Sequence, residues 1–134
     1  MATIQERILE ADDLPREKVH VPEWNMDVWI RSLTAAERDD YEQGLLRASG
    51  QGRSLTMTPN LANAKAKLVV RTLVYENGER MFTDVEAGKL GQKSARAINR
   101  LYDVAERLSG ISEEDIEELV KNSDSGPGEP SPSD

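Results

Sequence analysis

The chain has 134 residues, a mass of 14.9 kDa and a net charge of -8, with 37% hydrophobic and only 4% aromatic residues. That length suits one core burying roughly two thirds of the unfolded surface. The lack of cysteine excludes disulfides, thiolate metal sites and thiol nucleophiles, and no run of about 18 apolar residues exists to cross a membrane as a helix.

Charge is unevenly placed. Met1 to Glu42 holds 11 acidic and 5 basic residues (net -6), Gln43 to Ile111 holds 6 and 11 (net +5), and Ser112 to Asp134 holds 8 and 1 (net -7). A positive middle between negative ends suits self-association or docking on a complementary protein surface. The negative excess argues against tight nucleic-acid binding.

Residues 1–16 offer only Ile8 and Leu9 as a sizeable apolar pair, and nothing there resembles an export segment. They are expected to form a flexible N-terminal arm ahead of a single globular domain, 17–122. Val19 and Val21, then Met26, Val28 and Ile30, alternate with polar or aromatic residues, the two-residue period of paired strands turning at Pro22-Glu23-Trp24-Asn25. Thr34-Ala35-Ala36-Glu37 is a capping box predicting a helix to about Ala48. Ser49-Gly50-Gln51-Gly52-Arg53-Ser54 then reads as a mobile loop continuing to Pro59.

Leu61, Ala64, Leu68, Thr72 and Tyr75, widened by Val69 and Leu73, follow the spacing of an inward-facing helix. This is the expected core helix, ending near Thr72 in a hairpin whose Asn77-Gly78 pair suits a type I′ turn. Capping boxes recur at Thr83-Asp84-Val85-Glu86 and Ser112-Glu113-Glu114-Asp115, predicting helices from Thr83 to Leu90 and Ser112 to Lys121. Between them a helix from Gln92 to Leu108 sets Ile98, Leu101, Tyr102, Ala105 and Leu108 on one face, and Gly91 and Gly110 stand where helix ends favour positive φ. Residues 123–134 are a disordered acidic Pro/Ser/Gly tail by composition. The expected class is mainly α with small β-hairpin elements (α+β), about five helices around a core helix near residues 60–72.

Chemistry-bearing patterns are sparse. His20 is the single histidine, the carboxylate clusters lack calcium-loop spacing, and Gly50-Gln51-Gly52 is not followed by a phosphate-binding signature. No metal, cofactor or catalytic group is expected. Lys89, Lys93, Arg96, Arg100 and Arg107 share one side of a helical wheel, either as a solvated face or to meet acidic surface such as the Ser112 helix of a neighbouring copy. A helix-turn-helix is the remaining reading, and it fails at Glu86 and Gln92, where that motif needs apolar residues. Trp24 and Trp29 flank the turn and second strand, and aromatics concentrate at protein interfaces. Trp29, opposite Val28 and Ile30 on its strand, is the stronger partner-binding candidate. The candidate partner-binding residues are therefore Trp24, Trp29, Lys93, Arg96 and Arg100.

Four stretches carry a resemblance: Val19 to Trp24, Val28-Trp29-Ile30-Arg31-Ser32-Leu33-Thr34-Ala35-Ala36-Glu37-Arg38-Asp39, Leu68 to Val74, and Glu76 to Asp84. Together they resemble the tail assembly chaperones of long-tailed bacteriophages, with likeness over most of Lys18 to Asn122. The resemblance implies a small, mostly helical, non-catalytic protein of the infected host cytoplasm. It implies partners too: the tape measure protein, held soluble, and the tail tube protein, recruited around it. A homo-oligomer, no membrane association and absence from the mature virion belong to the same expectation, as does a longer form made by ribosomal frameshifting, for which Val120-Lys121-Asn122 suits a slippery adenine run. The alternatives are a small helix-turn-helix-like nucleic-acid-binding regulator and a structural tail component retained in the virion.

Overall fold

The computed structural model describes residues 1–125, with side-chain surroundings to residue 122. Its elements are α1 (Ile4–Glu10), β1 (Arg16–Val21), β2 (Met26–Arg31), α2 (Ala35–Gly44), β3 (Leu46–Ser49), β4 (Thr56–Pro59), α3 (Ala64–Thr72), β5 (Leu73–Val74), α4 (Ala87–Leu90), α5 (Ala95–Ser109) and α6 (Glu113–Ser125). The class is α+β as expected, with six α-helices among the described residues rather than about five. Of the expected 123–134 tail, residues 123–125 continue α6 and residues 126–134 lie outside the described residues.

β1 and β2 pair antiparallel, Val19 opposite Val28 and Val21 opposite Met26, so the alternation read from the sequence buries Val19, Val21, Val28 and Ile30 on one face. Pro22–Trp24 form a 3-10 turn, and Asn25 completes the reversal at φ 51°, a left-handed conformation that Asn tolerates. β5 joins the other edge of β2 through Trp29 with Val74 and Ile30 with Leu73, giving the order β1-β2-β5.

α3 is the core helix. Ala66, Leu68, Val69, Val70, Arg71 and Thr72 are all buried, so it is enclosed nearly all round. The expected apolar stripe is corrected at both ends: Leu61 precedes the helix, Tyr75 follows it, and both are about half exposed. Thr72 marks the exit. Its hydroxyl donates to the Leu68 and Val69 carbonyls at 3.1 and 3.2 Å, and Leu73 then turns extended into the sheet. Against α3 packs α5, burying Ala97, Ile98, Leu101, Tyr102 and Ala105. α5 starts at Ala95, not Gln92, because the Gln92 and Lys93 amides close the turn after α4 and the Ser94 hydroxyl accepts from the Ala97 N–H.

Two of the three boxes carry both predicted bonds, and at Thr83 the Glu86 N–H bonds the Thr83 carbonyl instead of its hydroxyl. Thr34 Oγ1 accepts from the Glu37 N–H and Glu37 from the Thr34 N–H, and Ser112 and Asp115 exchange the same pair at 3.1 and 3.0 Å. Glu86 accepts from the Thr83 N–H at 2.8 Å, opening a 3-10 turn, Asp84–Glu86, ahead of α4. Those bonds hold the Glu86 and Asp115 carboxyls below their usual range.

Four local expectations are corrected. α2 stops at Gly44, short of Ala48: Lys67 Nζ donates to the Gly44 carbonyl at 2.7 Å, Leu45 turns in to full burial, and the expected mobile loop is instead the β3–β4 hairpin. At Asn77-Gly78 only Gly78 has positive φ, so the turn is a three-residue loop closed by Gly78 N–H to Tyr75 O and Tyr75 N–H to Glu79 O, not type I′. Gly110 caps α5 at φ 70°, as expected, but Gly91 has φ -64°. A Cβ at Gly91 would lie 2.3 Å from Asn63 Oδ1, so any larger residue there must displace the Asn63 side chain. The N-terminal segment holds a helix, α1, capped by Thr3 and burying no residue.

Candidate partner-binding surface

An apolar groove of about 570 Å³ opens where the β1–β2 turn, the end of α3 and the segment around α4 converge. Trp24, Met26, Met81, Phe82 and Leu90 give its floor and walls, and Lys89 and Lys93 stand on its rim. Trp24, Met81 and Phe82 are partly buried against the core, and Met26 is 52% exposed. The register of β1–β2 fixes Met26 at the start of β2, while the Gly78 turn returns Met81 and Phe82 beside Leu73, whose carbonyl accepts from the Met81 N–H at 3.1 Å.

Four of the five sequence candidates gather here. Trp24 and Lys93 line the groove. Arg100 pairs with Glu23, beside Trp24, and its guanidinium holds the Glu23 carboxyl below the usual carboxylate range, with Arg96 adding to the effect. Lys93 and Arg96 form no ion pair among the described residues. Trp29 lies elsewhere. It sits on the opposite face of β2, partly buried, with the Arg16 guanidinium 4.7 Å above its ring. The groove residues that sequence reasoning missed are Met26, Met81, Phe82 and Leu90, and the apolar Met81-Phe82 pair after a hairpin was the signal available.

The basic stripe is divided by in-house partners. Arg107 meets Glu17 at 2.8 Å, Arg100 meets Glu23, and Lys89 lies 3.9 Å from Glu86. Of the five cations expected on one face, Arg100 and Arg107 are therefore paired within the fold, which weakens a nucleic-acid surface, while Lys89 stays 81% exposed. α4 spans four residues, too short for the first helix of a helix-turn-helix.

Elsewhere the ionisable groups serve structure. A polar cleft of about 650 Å³ holds Asp12, Asp13, Arg16, Arg31 and Glu76, but Arg16 donates to the Glu76 carbonyl and Arg31 pairs with Glu37 at 2.8 Å. His20 Nδ1 lies 2.7 Å from Asp27 on an exposed strand face. Among the described residues no group of His, Cys, Asp and Glu is placed to hold a metal, and no helix is long and apolar enough to cross a membrane. Burial pushes the Tyr41 hydroxyl up to about 12 and Tyr102 higher. Burial also raises Glu106, with the Tyr102 hydroxyl opposing and the Glu113 carboxylate adding to the rise.

The comparisons agree with this architecture. The solved structure of the bacteriophage HK97 tail assembly chaperone is similar to the chain with a TM-score of 0.54 at 17% identity, covering 78% of this chain and 95% of that one. No curated protein sequence matches. A family profile described as phage tail assembly chaperone matches residues 3–122. The chain belongs to the phage tail assembly chaperone family.

Proposed function

We propose that the protein binds the tape measure protein of its phage, keeps it from aggregating and helps recruit tail tube subunits around it, without making or breaking bonds. The observation that carries this is the open apolar groove of Trp24, Met26, Met81, Phe82 and Leu90 with Lys89 and Lys93 at its rim. Exposed apolar surface framed by charge suits the apolar face of an amphipathic client helix, with cations meeting acidic residues on its flanks. Such a contact is exchangeable, as a chaperone that must leave requires. On this reading the protein works in the host cytoplasm, self-associates, is absent from the mature virion and is also made in a longer frameshifted form.

Co-expression with the tape measure protein tests the central claim. The partner should be soluble with the wild-type chain and aggregate with Phe82→Asp or Met81→Asp, provided the variants retain wild-type circular dichroism. Equal solubility with and without the chaperone would remove the proposal. Mass spectrometry of purified virions separates a departing chaperone from a retained tail component, and a gene lacking a slippery heptamer near its last codons would remove the longer form.

A further inference from the structure

α1 and the groove are complementary features that no described residue covers. α1 is seven residues long and buries nothing, with Ile4, Ile8 and Leu9 exposed at 73%, 66% and 77%. Isolated helices shorter than about 12–15 residues are marginal in water, so a helix this short is stabilised chiefly by covering its apolar face. At 3.6 residues per turn Ile4, Ile8 and Leu9 occupy one side, and Glu6, Arg7 and Glu10 the other. Across Thr3 to Asp13 the carboxylates of Glu6, Glu10, Asp12 and Asp13 face a single cation, Arg7, so the segment is acidic as well as apolar. The groove is its counterpart, with apolar walls, a rim of Lys89 and Lys93, and Arg96 nearby.

We propose that α1 of one molecule docks in the Trp24–Phe82–Leu90 groove of a second copy, the apolar stripe meeting the groove and Glu6, which borders that stripe beside Leu9, meeting the rim lysines. The arm leaves its own fold at the other end of the β1–β2 hairpin. There Asp12 to Pro15 lie beside Arg31 and Glu76 to Gly78, and the Pro15 carbonyl is held by the Ser32 N–H at 2.9 Å. The contact is head-to-tail, since each copy presents one helix and one groove, so association continues from copy to copy. It rests on the groove being a binding surface, as in the proposed function, and adds its occupant before a client arrives.

Sedimentation of the full chain across a wide concentration range tests this, with no client present. Wild type should associate in a concentration-dependent, salt-weakened manner. Ile8→Asp and Lys93→Glu, both at exposed positions, should each weaken association at least about tenfold. Mixing them should restore a one-to-one complex, because one variant keeps the groove and the other keeps α1. A wild-type monomer at every concentration overturns the inference, as does association untouched by Ile8→Asp or an equimolar mixture that stays monomeric. Those failures leave the solubility of a co-expressed client, and so the proposed function, to its own assay.

Discussion

Gly91 and Asn63 are tied by space. Asn63 holds φ 54° just ahead of α3, and its amide lies where a side chain on residue 91 would begin. Gly91→Ala should therefore destabilise by roughly 1–2 kcal/mol, because the Asn63 amide must move while the Ala87 carbonyl, 3.3 Å from the added methyl, blocks the other side. Asn63→Gly, tolerant of the left-handed backbone, should recover most of that loss in the double variant; a double variant no better than Gly91→Ala would refute the steric link. Glu106 carries a different residue-scale consequence. Its Oε2 is buried without a hydrogen-bond partner, and burial raises its pKa in the folded state. The folded protein thus binds the Glu106 proton more tightly than the unfolded chain does, and the linkage slope is negative. Stability at this site is fully present below the ordinary carboxylate range and falls as pH rises from there through the raised value. Glu106→Gln should flatten that part of the pH–Tm profile and raise Tm near neutrality, and an unchanged slope would show that another group carries it.

At the scale of elements, the start of α2 is held twice. Thr34 and Glu37 exchange capping bonds, and the same Glu37 carboxylate receives Arg31 at 2.8 and 2.9 Å, in a pair whose side chains are only 16% and 17% exposed. Thr34→Ala removes one cap and should cost about 1 kcal/mol. Glu37→Ala leaves a largely buried guanidinium uncompensated as well, so about 2–4 kcal/mol is expected from denaturant titration; equal losses in the two variants would mean that the ion pair contributes nothing. The elements legible in the sequence were of this local kind: a two-residue alternation at Val19 to Ile30, three boxes written in four residues each, and the α5 stripe. What escaped depended on distant contacts. Nothing near Ser49 announces that it pairs with Thr56, because that strand pair exposes most of its side chains and lacks apolar alternation. Alternation put Trp29 opposite the core correctly, yet could not show Arg16 covering it. The groove draws Trp24, Phe82 and Leu90 from three segments far apart in the chain, which tertiary packing brings together.

For the whole molecule, burial is graded from the centre outward. α5 packs against both α3 and the β1–β2 strands, α2 and α4 also lie against α3, and Leu68, Val69 and Leu101 have no exposed surface. The groove rests on this centre through Leu73 and Leu90, both buried. The β3–β4 hairpin and α1 are the opposite case, the hairpin strands being mostly exposed and α1 burying nothing. Backbone amides open according to how much packing must be lost, so native-state hydrogen exchange should rank α3 and α5 slowest and β3–β4 and α1 fastest. Leu101→Ala sharpens the expectation. Removing a fully buried leucine between α5 and α3 should lower the opening free energy of both helices by about 2–5 kcal/mol, since their slow amides exchange through global unfolding. The hairpin amides should not respond, because they already exchange by opening locally. If Leu101→Ala speeds β3–β4 as much as α3, the hairpin opens only with the core, and the graded picture is wrong.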